Sequence, residues 1–266
     1  MKRFFFIFML CIGLGGCMDN SYPLDGFSEE QKVLVKAIKA ADVEKVKSLA
    51  KVTDLELKSE QSIPILTAAM FEAMGDLKSD KPTRHLQVIT ELVRAGAPVD
   101  KRGDFGETPL SLALMQEHPA LLRAMLEGGL DPNFRIQNSH SGTPIMFRVL
   151  SNYKLESVKL LVKYGADMDL MLSNGETLAH EAITVAPQVA YYLVSIGATI
   201  HSKNKFTGKT FAMSVFNEEK SLKEDVDDVK SGRYKGNLEV IQGDLDAVQK
   251  IKAIMIEKGI EWPPKQ

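Results

Sequence analysis

Residues 105–133 read FGETPLSLALMQEHPALLRAMLEGGLDPN, and this stretch decides the fold. Thr108 can cap a helix, and Pro109 in its first turn costs no hydrogen bond, because that N–H has no helical acceptor. Ala113 is small enough for close packing. A second helix then ends at Gly129, which can adopt the left-handed conformation a helix end requires; in sister units its apolar residues recur at helical spacing, as in Leu86, Ile89, Leu92 and Val93 or Leu155, Val158, Leu161 and Val162. Two short helices joined by a tight connection follow, and neither could bury its apolar face alone.

The same start and end recur along the chain at a period of about 33 residues. Starts fall at Ile63-Pro64-Ile65, Thr143-Pro144-Ile145, Thr177-Leu178-Ala179 and Thr210-Phe211-Ala212. Ends fall at Gly96-Ala97, Gly165-Ala166-Asp167, Gly197-Ala198 and Gly259-Ile260. Asn174-Gly175 and Ser141-Gly142 supply turns between units.

This pattern resembles the ankyrin repeat, a pair of antiparallel helices followed by a hairpin-like finger. The resemblance covers roughly Glu30 to Trp262 and implies an all-α helical solenoid of about six repeats with short hairpin fingers. The first unit, Val33 to Leu57, and the last are degenerate, as expected where one face meets water. The period breaks after Phe71 and after Phe216, so insertions near 72–82 and 217–237 are expected on one edge of the solenoid. The second, Asn217 to Asn237, is strongly charged and reads as a solvated, self-neutralising loop.

The N-terminus carries a different signal. Lys2 and Arg3 precede the apolar run Phe4 to Leu14, too short to span a bilayer, so residues 1–16 read as an export signal peptide. Leu14-Gly15-Gly16-Cys17 resembles the lipobox of bacterial lipoproteins, whose family chemistry cuts before the Cys and acylates it. Cys17 is then the lipidation site, and residues 17–27 form a polar, lipidated tether before a domain at 28–266. Three acyl chains would hold such an anchor firmly. Asp19 is not adjacent to Cys17; Met18 occupies the place of an inner-membrane retention signal, which points to the outer membrane, facing the periplasm. Cys11 leaves with the signal, so no disulfide is expected.

The formal charge of −2 becomes about −4 without Lys2 and Arg3, which argues against nucleic-acid binding. Catalytic motifs are incomplete. Gly208-Lys209-Thr210 ends like a phosphate loop, but Lys203 stands where that loop needs Gly. His180-Glu181 starts like a zinc-protease helix, but Thr184 replaces the second His. Thr177-x-x-His180 instead matches the ankyrin Thr-Pro-Leu-His position, whose His orients its loop by hydrogen bonding. Neither catalytic nor cofactor-binding residues are expected, nor a metal: Glu224, Asp225, Asp227 and Asp228 lack a calcium loop's alternation and central Gly. These four are retained as partner-binding candidates.

Phe105, Phe134, Met171 and Phe206 sit at or beside the fingers, where the family usually has polar residues. Exposed, they would form an apolar stripe for a protein partner; alternatively each ring packs under its own finger. The resulting expectation is an anchored protein-binding module rather than an enzyme, without a small-molecule substrate. Its partner is unidentified, and lipoproteins of this build resemble immunity proteins that neutralise secreted antibacterial effectors. The alternatives are an envelope scaffold or stress-protection protein, and an enzyme with its site in 217–237.

Overall fold

The computed structural model describes residues 24, 26–56, 63–77, 83–103, 106–136, 142–150 and 154–265. Cys17, Phe105 and His140 lie outside the described residues, as do 78–82 of the first insertion. Twelve helices among the described residues form six consecutive pairs: α1 (Glu29–Lys39) and α2 (Val43–Leu49), α3 (Ile65–Leu77) and α4 (Arg84–Arg94), α5 (Pro109–Met115) and α6 (Ala120–Glu127), α7 (Ile145–Leu150) and α8 (Leu155–Lys163), α9 (Leu178–Val185) and α10 (Pro187–Ser195), α11 (Phe211–Ser231) and α12 (Leu238–Glu257). First helices stack on first helices (α1 on α3, α3 on α5, α7 on α9, α9 on α11), and second on second (α2 on α4, α4 on α6, α8 on α10, α10 on α12). This is an all-α ankyrin-repeat solenoid. Its core runs as one apolar cluster from Phe27 to Met255.

Local chemistry sets each pair. Ser28 opens α1 with a capping box: its Oγ accepts from the Gln31 N–H at 3.2 Å, and Gln31 Oε1 accepts from the Ser28 N–H at 3.0 Å. Thr108, Thr177 and Thr210 cap α5, α9 and α11 by accepting from the N–H groups of Ser111, His180 and Met213. Between first helices the contact surface is small: Ala68, Ala69 and Ala182 are 0% exposed and Ala113 2%, so neighbouring backbones approach closely. Gly129, at φ 103°, ends α6 in the left-handed region, and the Leu130 N–H then reaches back to the Met125 carbonyl at 3.0 Å. Within the first unit, α1 ends in the same geometry without glycine: Ala41 takes φ 49°, and the Asp42 N–H donates to the Ala37 carbonyl at 3.1 Å.

Short antiparallel fingers link the pairs. Arg135 faces Pro144 and Ile136 faces Thr143 in one, while single bridges Met171 to Thr177 and Lys203 to Thr210 close two others. The residue entering a first helix ties each finger down: Leu110 N–H to Val99 O, Ile145 to Phe134 and Phe211 to Ser202, at 2.9–3.0 Å.

The segment 217–237 corrects the sequence-based expectation of a charged loop. Residues up to Ser231 continue α11, and only 232–237 connect it to α12. Phe211, Val215, Leu222 and Val226 are buried along α11 and pack on α12, which answers with Leu245, Val248, Ile251 and Met255. The apolar stripe holds the hairpin together; the charges occupy its other faces. Glu219, 5% exposed, is neutralised inside the hairpin by Lys223 at 2.7 Å and Lys252 at 3.0 Å. In the first insertion, residues 72–77 likewise continue α3. No described helix is long and apolar enough to cross a membrane.

Candidate protein-binding face

The open edge of the solenoid is built by the fingers and by the first helices behind them. The candidate apolar residues occupy it unequally. Phe206 is 81% exposed at the tip of the 202–211 finger, and Met171 is 54% exposed at the base of the preceding one. Phe134 is half-buried against the core. Its N–H donates to the Asp131 carbonyl at 2.9 Å and its carbonyl accepts from Ile145, so it belongs to a finger base, where the ring has a wall to lie on. The structure therefore displays Met171 and Phe206 and tucks Phe134 in.

A polar network that the sequence did not announce holds the Phe206 finger. Asn204 Oδ1 accepts from the Phe206 and Thr207 N–H groups, both at 2.9 Å, and the Asn204 N–H donates to the Lys209 carbonyl at 2.9 Å. Its amide Nδ2 donates to Glu176 Oε1 at 2.9 Å, while Asn174 Nδ2 donates to Glu176 Oε2 at 2.8 Å. One carboxylate thus ties two fingers together, and the Lys205 N–H to Asn174 carbonyl bond at 2.8 Å adds a backbone tie. The backbone that carries Phe206, flanked by exposed Lys203 and Lys205, is held in place before any contact. Preorganisation of this kind lowers the entropy lost on binding.

Beneath the fingers His180 joins units five and six. Its Nδ1 lies 3.0 Å from Ser202 Oγ and its Nε2 2.8 Å from Ser214 Oγ, with the Phe211 ring centroid 5.7 Å away. Glu176 Oε1 stands 3.7 Å from Nε2. Burial lowers the imidazole pKa, Lys209 adds to that, and Glu176 opposes it. Next to it, Glu181 has its carboxyl pKa raised by burial and by the charge and hydrogen bond of Glu176. A histidine within 2.8 Å of a serine has the spacing of a base and a nucleophile, but His180 and Ser214 are only 4% and 2% exposed. The ring ties the 202–211 finger, at Ser202, and α11, at Ser214, to α9, in line with the loop-orienting role that the repeat position implies.

The acidic candidates lie on α11. Glu224 and Asp227 are exposed, Asp225 and Asp228 half-buried; Glu224 lies 3.9 Å from Lys220 and Asp228 2.6 Å from Arg233. Among the described residues no group of His, Cys, Asp and Glu is placed to hold a metal ion. These side chains are remote in the chain from Phe206 and share no described contact with it.

Comparison with known proteins agrees with this architecture. Residues 80–171 match the family model for ankyrin repeats in three copies. An ankyrin repeat protein of Rickettsia bellii is 35% identical over 69 residues, covering 26% of this chain and 28% of the relative. The chain spans less than a third of the length of the curated relatives it matches. An ankyrin repeat domain from Acinetobacter baumannii AYE superposes with a TM-score of 0.52 at 17% identity, covering 87% of this chain and 100% of that one. The ankyrin repeat protein EF0377 superposes with a TM-score of 0.50 at 16% identity, covering 89% and 99%. These likenesses speak for the fold alone.

Proposed function

We propose that the chain is a lipid-anchored, periplasmic scaffold that binds a protein through its finger edge. Ankyrin repeats are protein-binding scaffolds, and the observation that carries the reading to a particular surface is Phe206, 81% exposed on a finger fixed by Asn204 and Glu176. Large exposed apolar residues on a rigid support mark binding hot spots. The anchor rests on Leu14 to Cys17 and the location on Met18, and a secreted antibacterial effector is the class of partner that an anchored scaffold there would meet.

The test is recovery of the acylated protein from envelopes of its own cells, beside Phe206→Ser/Met171→Ser and Cys17→Ser variants. One protein is expected with the wild type, reduced tenfold or more with the finger variant. Equal recovery with the finger variant would move binding elsewhere, and no partner at all would end the reading. Cys17→Ser is expected in the soluble fraction; membrane association of that variant would refute the anchor.

A further inference from the structure

The last finger, residues 201–210, reads HSKNKFTGKT, with lysines and no carboxylate, in a chain whose formal total is −2. The finger before it, 166–177, has the opposite make-up: Asp167, Asp169 and Glu176, and no Lys or Arg. Those carboxylates are engaged within the fold. Asp167 accepts from the Asp169 N–H at 2.9 Å, Asp169 accepts from the Thr199 N–H at 2.8 Å, and Glu176 holds Asn174 and Asn204. The lysines divide. Lys209 is half-buried, and its charge is felt by His180 and Glu218. Lys203 and Lys205 are exposed, and neither pairs with a carboxylate among the described residues.

Two glycines position these exposed cations. A carbon added at Gly175 would lie 3.0 Å from Lys205 Cγ and 3.1 Å from its Cε, so the Lys205 stem crosses the preceding finger with its ammonium beyond. A carbon added at Gly208 would lie 3.7 Å from Lys203 Cε, so that stem lies along its own finger. Stems resting on backbone keep the ammonium groups in water and leave less rotamer freedom to lose on contact. Beside them Phe206 is 81% exposed on the backbone that Asn204 fixes. An exposed phenyl ring gains by entering an apolar pocket, and unpaired ammonium groups gain by meeting carboxylates. Lysine acts as a point charge with little directional demand, so the pair steers an acidic surface inward from about a Debye length, roughly 8 Å at physiological salt.

We infer that the 201–210 finger docks on an acidic site of the protein partner: an apolar pocket for Phe206 with Asp or Glu on its rim for Lys203 and Lys205. The inference rests on the protein-binding reading and names the chemistry of that partner. A pocket with a basic rim is rejected by like charge.

The experiment recovers the acylated full chain from envelopes of its own cells as wild type, Lys203→Arg/Lys205→Arg and Lys203→Glu/Lys205→Glu, with Phe206→Ser beside them. The Arg form keeps the charge and should recover the partner within about twofold of wild type, while the Glu form should recover roughly tenfold less. In the same preparation a water-soluble carbodiimide, which joins an amine to a carboxyl group in contact with it, should link Lys203 or Lys205 of the wild type to an Asp or Glu of that protein, read by mass spectrometry of the joined peptides. Equal recovery with the Glu form, or carbodiimide products on that protein only through other lysines, overturns the inference. So does a blue shift of Phe206→Trp emission with phosphatidylglycerol vesicles but not phosphatidylcholine vesicles, which would assign the lysines to lipid headgroups. Should the Glu form unfold, Lys203→Gln/Lys205→Gln serves instead: a smaller loss of recovery is expected, and none refutes. Loss of recovery with Phe206→Ser alone would leave the binding role standing and remove only this specificity, whereas no partner with the wild type removes both.

Discussion

Substituting alanine for Gly175 tests whether the fingers stack as a single edge. Gly175 sits at φ 85°, between the two residues that tie the fingers together, and a Cβ there would lie 2.8 Å from the Lys203 carbonyl oxygen and 3.0 Å from Lys205 Cγ. Two costs add. The left-handed backbone costs an L-residue about 1–2 kcal/mol. Displacing a neighbour's backbone costs about 1–3 kcal/mol, because the Lys203 carbonyl belongs to the closed 203–210 bridge and cannot swing aside like a side-chain end. Gly175→Ala should therefore lower stability by roughly 2–5 kcal/mol. Gly165→Ala is the control: its φ is 92°, but nothing lies within 4 Å of the added carbon, so only the backbone cost of about 1–2 kcal/mol applies. Urea unfolding followed by far-ultraviolet circular dichroism, with midpoints compared at a common slope, reads the difference. If the two variants agree within about 0.5 kcal/mol, the fingers are not in the contact described and the reasoning fails.

Ala41→Gly should raise the urea midpoint by the equivalent of about 0.5–1 kcal/mol, because Ala41 holds φ 49° at a helix end; a lower midpoint refutes this. His180→Ala should cost about 2–4 kcal/mol through the lost hydrogen bonds to Ser202 and Ser214 and a cavity, measured by the same unfolding. With the His180 pKa lowered on folding, the unfolded chain takes the proton first, so this stability is complete above the ordinary imidazole value of about 6.5 and falls as pH drops below it. The wild type, but not His180→Ala, should lose midpoint for that reason between pH 7.5 and 5.5. Glu218 has its carboxyl pKa raised by burial first and then by Asp225, against Lys209, with Asp244 adding to it. A raised carboxyl contributes stability below the unfolded pKa and loses it as pH rises through the folded value. Glu218→Gln should thus be more stable than wild type at pH 7, and a loss there contradicts the assignment.

The repeat was legible because its signals are local. Thr108 caps within three residues and Gly129 ends its helix within one turn, so neither needs a distant partner to be recognised. The α11–α12 hairpin was not, because its charged residues hid the spacing of Leu222 and Val226, whose meaning depends on Leu245 and Val248 across the turn. Likewise Asn174, Glu176 and Asn204 become a clamp only when stacking brings residues 28 apart within 2.9 Å. The fingers show the same limit. Phe134 and Phe206 are the same residue type near the same feature, yet one stands at a finger base with core beside it and the other at a tip with none.

The most direct measurement places a photo-crosslinking amino acid, one position at a time, on the finger edge at Phe206 and Met171, and on second helices at exposed Lys47 and Lys163, in the full chain within its own cells. One discrete protein adduct from Phe206 and Met171, and none from Lys47 or Lys163, is the expected result for a scaffold that binds through its fingers. Adducts confined to Lys47 and Lys163, or no adduct at any position, would contradict it.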